Sequence, residues 1–144
     1  MAGAYAGDVT PADAWATLQA NPSAALVDVR TVAEWSFVGV PDLGGLAKRA
    51  LFQEWQSYPS MQVDPAFADR VAEALGAAGA GADAPVFFLC RSGARSQAAA
   101  AALTARGYTQ CFNIAGGFEG PLDSARHRGR SAGWKAEGLP WMQS

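Results

Sequence analysis

The sequence predicts an α/β domain with an open, largely parallel central sheet flanked by helices. Three observations lead there. Short apolar runs at Ala25–Val29, Pro85–Leu89 and Tyr108–Ile114 read as strands. Helical segments separate them, so the order strand, helix, strand, helix, strand favours parallel pairing through crossovers. The 144 residues are 50% apolar, which suits one domain over 1–144 with a substantial core.

Thr10 is a natural cap and Pro11 a natural first residue for the opening helix. Ala14, Trp15 and Leu18 give it an inward face, and Asn21-Pro22 stops it. The strand Ala25–Val29 follows and carries Asp28, with Arg30 just beyond. Thr31 and Glu34 form a capping-box pattern for a short helix over Thr31–Trp35. Gly39, Pro41, Gly44 and Gly45 mark an irregular loop, and Ala50–Trp55 reads as either a strand or an extended segment. Asp64-Pro65 repeats the cap-and-proline signal and predicts a helix through Leu75, with Phe67, Val71, Ala74 and Leu75 on one side. Gly76–Ala84 is expected to be a flexible surface loop. After the strand Pro85–Leu89 come a polar loop, Cys90–Arg95, and an Ala-rich helix, Ser96–Arg106, ended by Gly107. Gly116-Gly117 closes the last strand.

Composition narrows the function. Charged residues make up 17% and the net charge is -2, which argues against a nucleic-acid partner. Met1–Asp8 has neither a basic nor an apolar leader pattern, and no apolar run reaches spanning length. The expectation is a cytoplasmic protein that has no membrane partner and keeps its two cysteines, Cys90 and Cys111, reduced. A free cysteine is ordinarily a small apolar core residue. Cys90 has a further signal in its surroundings. It falls between a core strand and a helix N-terminus, where open parallel sheets bind ligands. The backbone N–H groups of a tight loop, the helix dipole and the charges of Arg91 and Arg95 all favour an anionic sulfur there. Gly93 permits the unusual backbone turn that such a loop needs.

The stretch Cys90-Arg91-Ser92-Gly93-Ala94-Arg95-Ser96 resembles the active-site loop of the rhodanese family. Asp28-Val29-Arg30 with Glu34-Trp35, Gly39 and Pro41 resembles its N-terminal signature. Asn113-Ile114-Ala115-Gly116-Gly117, Gly133-Trp134 and Gly138-Leu139-Pro140 resemble its C-terminal signatures, so ordered matches run from Leu26 to Trp141. The resemblance implies a sulfurtransferase in which Cys90 takes a sulfane sulfur from a small anionic donor such as thiosulfate. The resulting persulfide passes its sulfur to a thiol or to cyanide, and a protein is a further candidate donor or acceptor. Arg91, Ser92, Gly93, Ala94, Arg95 and Ser96 would bind the anionic groups, with no metal and no organic cofactor. Asp28 and Arg30 match a family acid-and-base pair and are expected mainly to support the active loop. Gly116 and Gly117 are read as letting the chain pass close to that loop, or as an ordinary turn.

Some features fall outside the resemblance. Val40 replaces a histidine common before the proline, with no expected effect on sulfur chemistry. The long segment from Gly117 to Trp134 holds Arg126, His127, Arg128 and Arg130, read as a solvated loop or a basic rim for anions. His127 is the only histidine, which sets aside a histidine metal cluster. Cys111 is expected to be a packed core residue in preference to a resolving thiol. Trp35, Trp134 and Trp141, by contrast, stand at positions of the resemblance and are expected in the core or the pocket wall. Two rival functions use similar parts. A phosphatase or arsenate reductase also cradles a cysteine thiolate, but the common phosphatase spacing places five residues between cysteine and arginine, and four separate Cys90 from Arg95. A rhodanese-like interaction module often lacks the cysteine that is present here.

Overall fold

The computed structural model describes residues 4–57 and 60–143. Met1, Ala2 and Gly3, part of the stretch read for a leader, lie outside these residues. So do Tyr58, Pro59 and Ser144. The elements in chain order are β1 (Gly7–Val9), α1 (Pro11–Ala20), β2 (Ala25–Asp28), α2 (Val32–Phe37), β3 (Val40–Pro41), β4 (Leu51–Phe52) and β5 (Gln56–Ser57). They continue with β6 (Gln62–Val63), α3 (Phe67–Ala77), β7 (Val86–Leu89), α4 (Ala94–Thr104), β8 (Cys111–Ile114) and β9 (Trp141–Met142).

Five strands form one sheet in the order β1-β8-β7-β2-β4, and every pairing in it is parallel. Residues along β7 alternate between its two faces. Val86 and Phe88, continued by Cys90, join Phe67, Val71 and Leu75 of α3 and Leu103 of α4. Phe87 and Leu89 join Ala14 and Leu18 of α1, together with Phe118 and Trp134. Both faces are therefore covered, which is why β7 is buried throughout and reads as an unbroken apolar run. Among the described residues, no helix is long and apolar enough to cross a membrane.

Local chemistry explains most boundaries. The Thr10 hydroxyl accepts the Asp13 N–H at 3.1 Å, and the Thr31–Glu34 capping box forms at α2. α3 departs from the expected start: Asp64 uses its carboxylate to accept the Ala66 N–H at 2.9 Å, so the helix opens at Phe67. The segment 76–84 is also not the free loop expected. Helix α3 continues to Ala77, and Ala80 and Ala84 are buried in the core. Ala50–Trp55 resolves into the two-residue edge strand β4, paired with β2. Trp134 is fully buried, but Trp141 is 39% exposed on β9, held by a short ladder to β3 and by contacts with the Phe118 ring and the Lys135 ammonium.

The topology defines one crevice. From β2 the chain moves outward through α2 to β4, whereas from β7 it moves the other way through α4 to β8. The reversal lies between β2 and β7, and ligands bind such sheets beyond the carboxyl ends of the strands flanking it. Asp28 and Leu89 are paired at those ends, and Cys90 comes next.

Candidate functional site

Cys90 is 1% exposed and its Sγ faces converging donors. The Gly93 N–H donates to it at 3.1 Å and the Ser96 N–H at 3.4 Å, with the Ser96 hydroxyl 3.1 Å away. This convergence depends on Gly93, whose φ of +117° turns the chain sharply back into α4. The turn also moves the helix start. α4 opens at Ala94 and not at Ser96, which puts Arg95 and Ser96 in its first turn. The N–H groups of that turn have no helical acceptor, so they point toward the crevice end as donors.

The back of the loop is fastened to the turn after β8. Phe118 N–H donates to the Cys90 carbonyl at 2.7 Å, and the Arg91 carbonyl accepts from Glu119 and Gly120 at 3.0 and 3.1 Å. Gly117 makes this approach possible, because a Cβ there would lie 2.5 Å from the Cys90 carbonyl oxygen. Gly116 meets a different neighbour: a Cβ on it would lie 3.0 Å from Gly133 N.

The two arginines of the loop differ. Arg91 is exposed. Arg95 is half-buried and clamps Glu34 through two bonds of 2.7 and 3.0 Å. Burial opposes the Arg95 charge, but the bonds and charge of Glu34, helped by Cys90 and Asp28, outweigh it and hold the guanidinium above its ordinary range. Burial likewise opposes ionisation of Glu34. The Arg95 bonds and charge, the Thr31 N–H and the Arg30 charge together keep its carboxyl below the usual carboxylate range. Glu34 thus lines the site, a role the sequence reading did not assign: it took Glu34 as a helix cap and as part of the N-terminal resemblance, without linking it to Arg95. The available signal was topological: α2 leaves β2 at the same end of the sheet as the Cys90 loop.

Asp28 and Arg30 form a fully buried ion pair of 2.7 Å. Arg30 also donates to the Gly39 carbonyl at 2.8 Å and lies 4.3 Å over the Phe118 ring. The contacts of this pair run to Gly39 and to Phe118, which in turn holds the Cys90 carbonyl. Ser92 and Ala94 lie exposed at the crevice. A cleft of about 340 Å³ opens there, lined by Cys90, Arg91, Arg95, Glu34, Gln56 and Met61. The last two come from β5 and the turn before β6, which the sequence did not reveal as elements. A larger hollow of about 560 Å³ lies at the opposite end of the sheet, among alanines and aliphatic side chains such as Ala25, Leu51 and Ala77. It is remote from the Cys90 loop.

Cys111 pairs with Val86 at the start of β7, four positions before Cys90. That separation is about 13 Å along the strand, well past the roughly 7 Å limit for bridged Cα atoms. Burial pushes the Cys111 thiol up, against a lowering bond with Thr104. In the segment 126–130, Arg126, His127 and Arg130 are exposed, while Arg128 donates to the Gly120 carbonyl at 2.8 Å.

Comparison with known proteins extends this geometry. The family model described as STR4 middle domain matches residues 6–144. An uncharacterized protein of Rickettsia conorii is 39% identical over 129 residues, covering 90% of this chain and 91% of its own. One of Rickettsia prowazekii is 38% identical over 122 residues, covering 85% of each. The crystal structure of Rv0390 from M. tuberculosis superposes with a TM-score of 0.86 at 44% identity, covering 98% of this chain and 100% of that one. The polysulfide-sulfur transferase homodimer of Wolinella succinogenes superposes at 0.57 with 24% identity, covering 95% and 78%. At that identity it shares the fold alone, which is rhodanese-like.

Proposed function

Because the chain belongs to the STR4 middle domain family and has a rhodanese-like fold, we propose that it is a single-domain sulfurtransferase with Cys90 as its sulfur carrier. The observation that carries this reading is the cradle around Sγ: two N–H donors at 3.1 and 3.4 Å beside a cleft with one exposed arginine. The Wolinella neighbour, named a polysulfide-sulfur transferase, provides a precedent on this fold.

The Cys90 thiolate attacks the outer sulfur of a donor such as thiosulfate. A new S–S bond forms as the donor's own S–S bond breaks, and its electron pair leaves with sulfite. A thiol or cyanide then attacks the outer sulfur and the pair returns to Cys90. Arg91 draws in the anionic donor and stabilises departing sulfite. The free N–H groups at the start of α4, those of Ala94 and Arg95 among them, hold the outer sulfur. Arg95 acts through its clamp on Glu34, which fixes the wall of the cleft. Asp28, Arg30, Gly116 and Gly117 keep the loop in place. Sulfur itself is the electrophile, so the reaction calls for no cofactor, and the working compartment is the cytoplasm.

The test is thiocyanate formation from thiosulfate and cyanide by wild-type protein and by Cys90→Ser. The reading predicts activity that the substitution abolishes. Full activity in Cys90→Ser, or hydrolysis of a phosphotyrosine mimic without any thiocyanate formation, would overturn it.

A further inference from the structure

Behind Cys90 lies a chain of polar side chains that the proposed transfer does not itself use. The Ser96 hydroxyl has one proton and three neighbours: Asn113 Oδ1 at short range, Cys90 Sγ at 3.1 Å and the Gly93 carbonyl at 3.2 Å. Asn113 is 2% exposed, and its Nδ2 donates to Asp8 Oδ1 at 3.0 Å. Asp8 lies on the edge strand β1, where the same oxygen also accepts from the Tyr5 hydroxyl at 2.8 Å.

The donor inventory fixes the direction of this chain. An ionised carboxylate only accepts, so Asp8 requires the NH₂ end of Asn113 and thereby turns Oδ1 toward Ser96. That carbonyl takes the one Ser96 proton. Ser96 is left with lone pairs to offer Cys90, which suits an S–H donor and not a bare thiolate. For Ser96 to donate to an anionic sulfur, it must leave a buried carbonyl without its donor.

We propose that Asp8 and Asn113 are positioning residues that commit the Ser96 proton away from Cys90 and so restrain ionisation of the unloaded thiol. The inference rests on Cys90 being the nucleophile of the proposed transfer. The charged groups that face the sulfur are Arg91 and Arg95 of its own loop and helix and Glu34 from α2, with the Asp28–Arg30 ion pair at the end of the neighbouring strand β2. The chain through Asn113 acts from the remaining side, β8 and β1.

The experiment measures the pH dependence of iodoacetamide alkylation at the peptide carrying Cys90. Asn113→Ala frees the Ser96 proton while the Asp8 charge stays in place. The profile is expected to move toward lower pH by about half to one unit, roughly three- to tenfold in rate on its acid side. Asp8→Asn lets the Asn113 amide turn over and shifts the profile the same way, whereas Asp8→Glu retains the wild-type profile. In a Ser96→Ala background the Asp8→Asn shift disappears, because the effect travels through the hydroxyl. An unmoved profile in Asn113→Ala overturns the proposal. So does an Asp8→Asn shift of equal size with and without Ser96, which marks simple through-space charge. Asn113→Ser is the second variant should Asn113→Ala not fold. The profiles need no sulfur donor, so failure of wild-type protein to load sulfur counts against the transfer reading alone.

Discussion

Replacing Gly117 by alanine tests how the active loop is held. The added Cβ would lie 2.5 Å from the Cys90 carbonyl oxygen and 2.6 Å from Arg91 C and O. All three are backbone atoms, so relief requires movement of the Cys90 loop or of the turn behind it. Gly138 is a matched control: its φ of +76° is comparable to the +61° of Gly117, but a Cβ there meets nothing within 4 Å. Both substitutions incur left-handed strain of about 1–2 kcal/mol. Gly117→Ala adds overpacking of about 1–3 kcal/mol. It also strains the three bonds from Phe118, Glu119 and Gly120 to the loop carbonyls, each worth about 1 kcal/mol. Thermal unfolding should then place Gly117→Ala about 3–18 °C below Gly138→Ala, from overpacking alone at the low end to loss of all three bonds at the high end, at roughly 3 °C per kcal/mol for a chain of this size. Thiocyanate formation should fall sharply in Gly117→Ala and little in Gly138→Ala. Equal unfolding temperatures together with wild-type transfer in Gly117→Ala would refute the close-approach argument.

Further outcomes follow from the same geometry. The Glu34 carboxyl is held below its ordinary range in the folded protein, so its stabilisation is present above the unfolded pKa and lost as pH falls through the folded one. Glu34→Gln should therefore be less stable than wild type by about 1–3 kcal/mol near neutrality. In denaturant titrations at several pH values the gap should close on acidification, and a constant gap contradicts the ion-pair account. Arg91→Ala should raise KM for thiosulfate about tenfold, equivalent to about 1.4 kcal/mol, with a smaller change in kcat. A KM unchanged in steady-state assays would remove Arg91 from donor binding. Cys111→Ala should load sulfur as wild type does, because Cys111 lies too far along the sheet to reach Cys90; loss of loading by intact mass would contradict that.

Much of this architecture is legible in the sequence because local chemistry determined it. Thr10-Pro11 and Thr31 with Glu34 state their caps outright, and the apolar run of β7 announces a strand covered on both faces. β1, β5, β6 and β9 are two or three residues long, too short for a local period to reveal them; β5 and β6 pair with each other, whereas the partners of β1 and β9 lie far along the chain. Asp64 shows the limit of a local signal: the same side chain that caps helices here stabilises a turn one step earlier. At the site, the Cys90 loop is readable because its residues are contiguous. Its supports are not contiguous. Glu34 reaches Arg95 across 61 positions, and Asn113 reaches Asp8 across 105. Only the strand order brings those residues together, and the pairing of β1 with β8 is the part that sequence periodicity could not supply.

The central claim is that Cys90 carries the sulfur. Intact-mass measurement after incubation with thiosulfate, an inorganic polysulfide and a low-molecular-weight persulfide tests it directly. The account predicts that wild-type protein gains one sulfur atom from at least one of these donors. It loses that atom on addition of cyanide, and Cys90→Ser gains none. Wild-type protein that stays unloaded with every donor, or Cys90→Ser that gains the same mass, would contradict it.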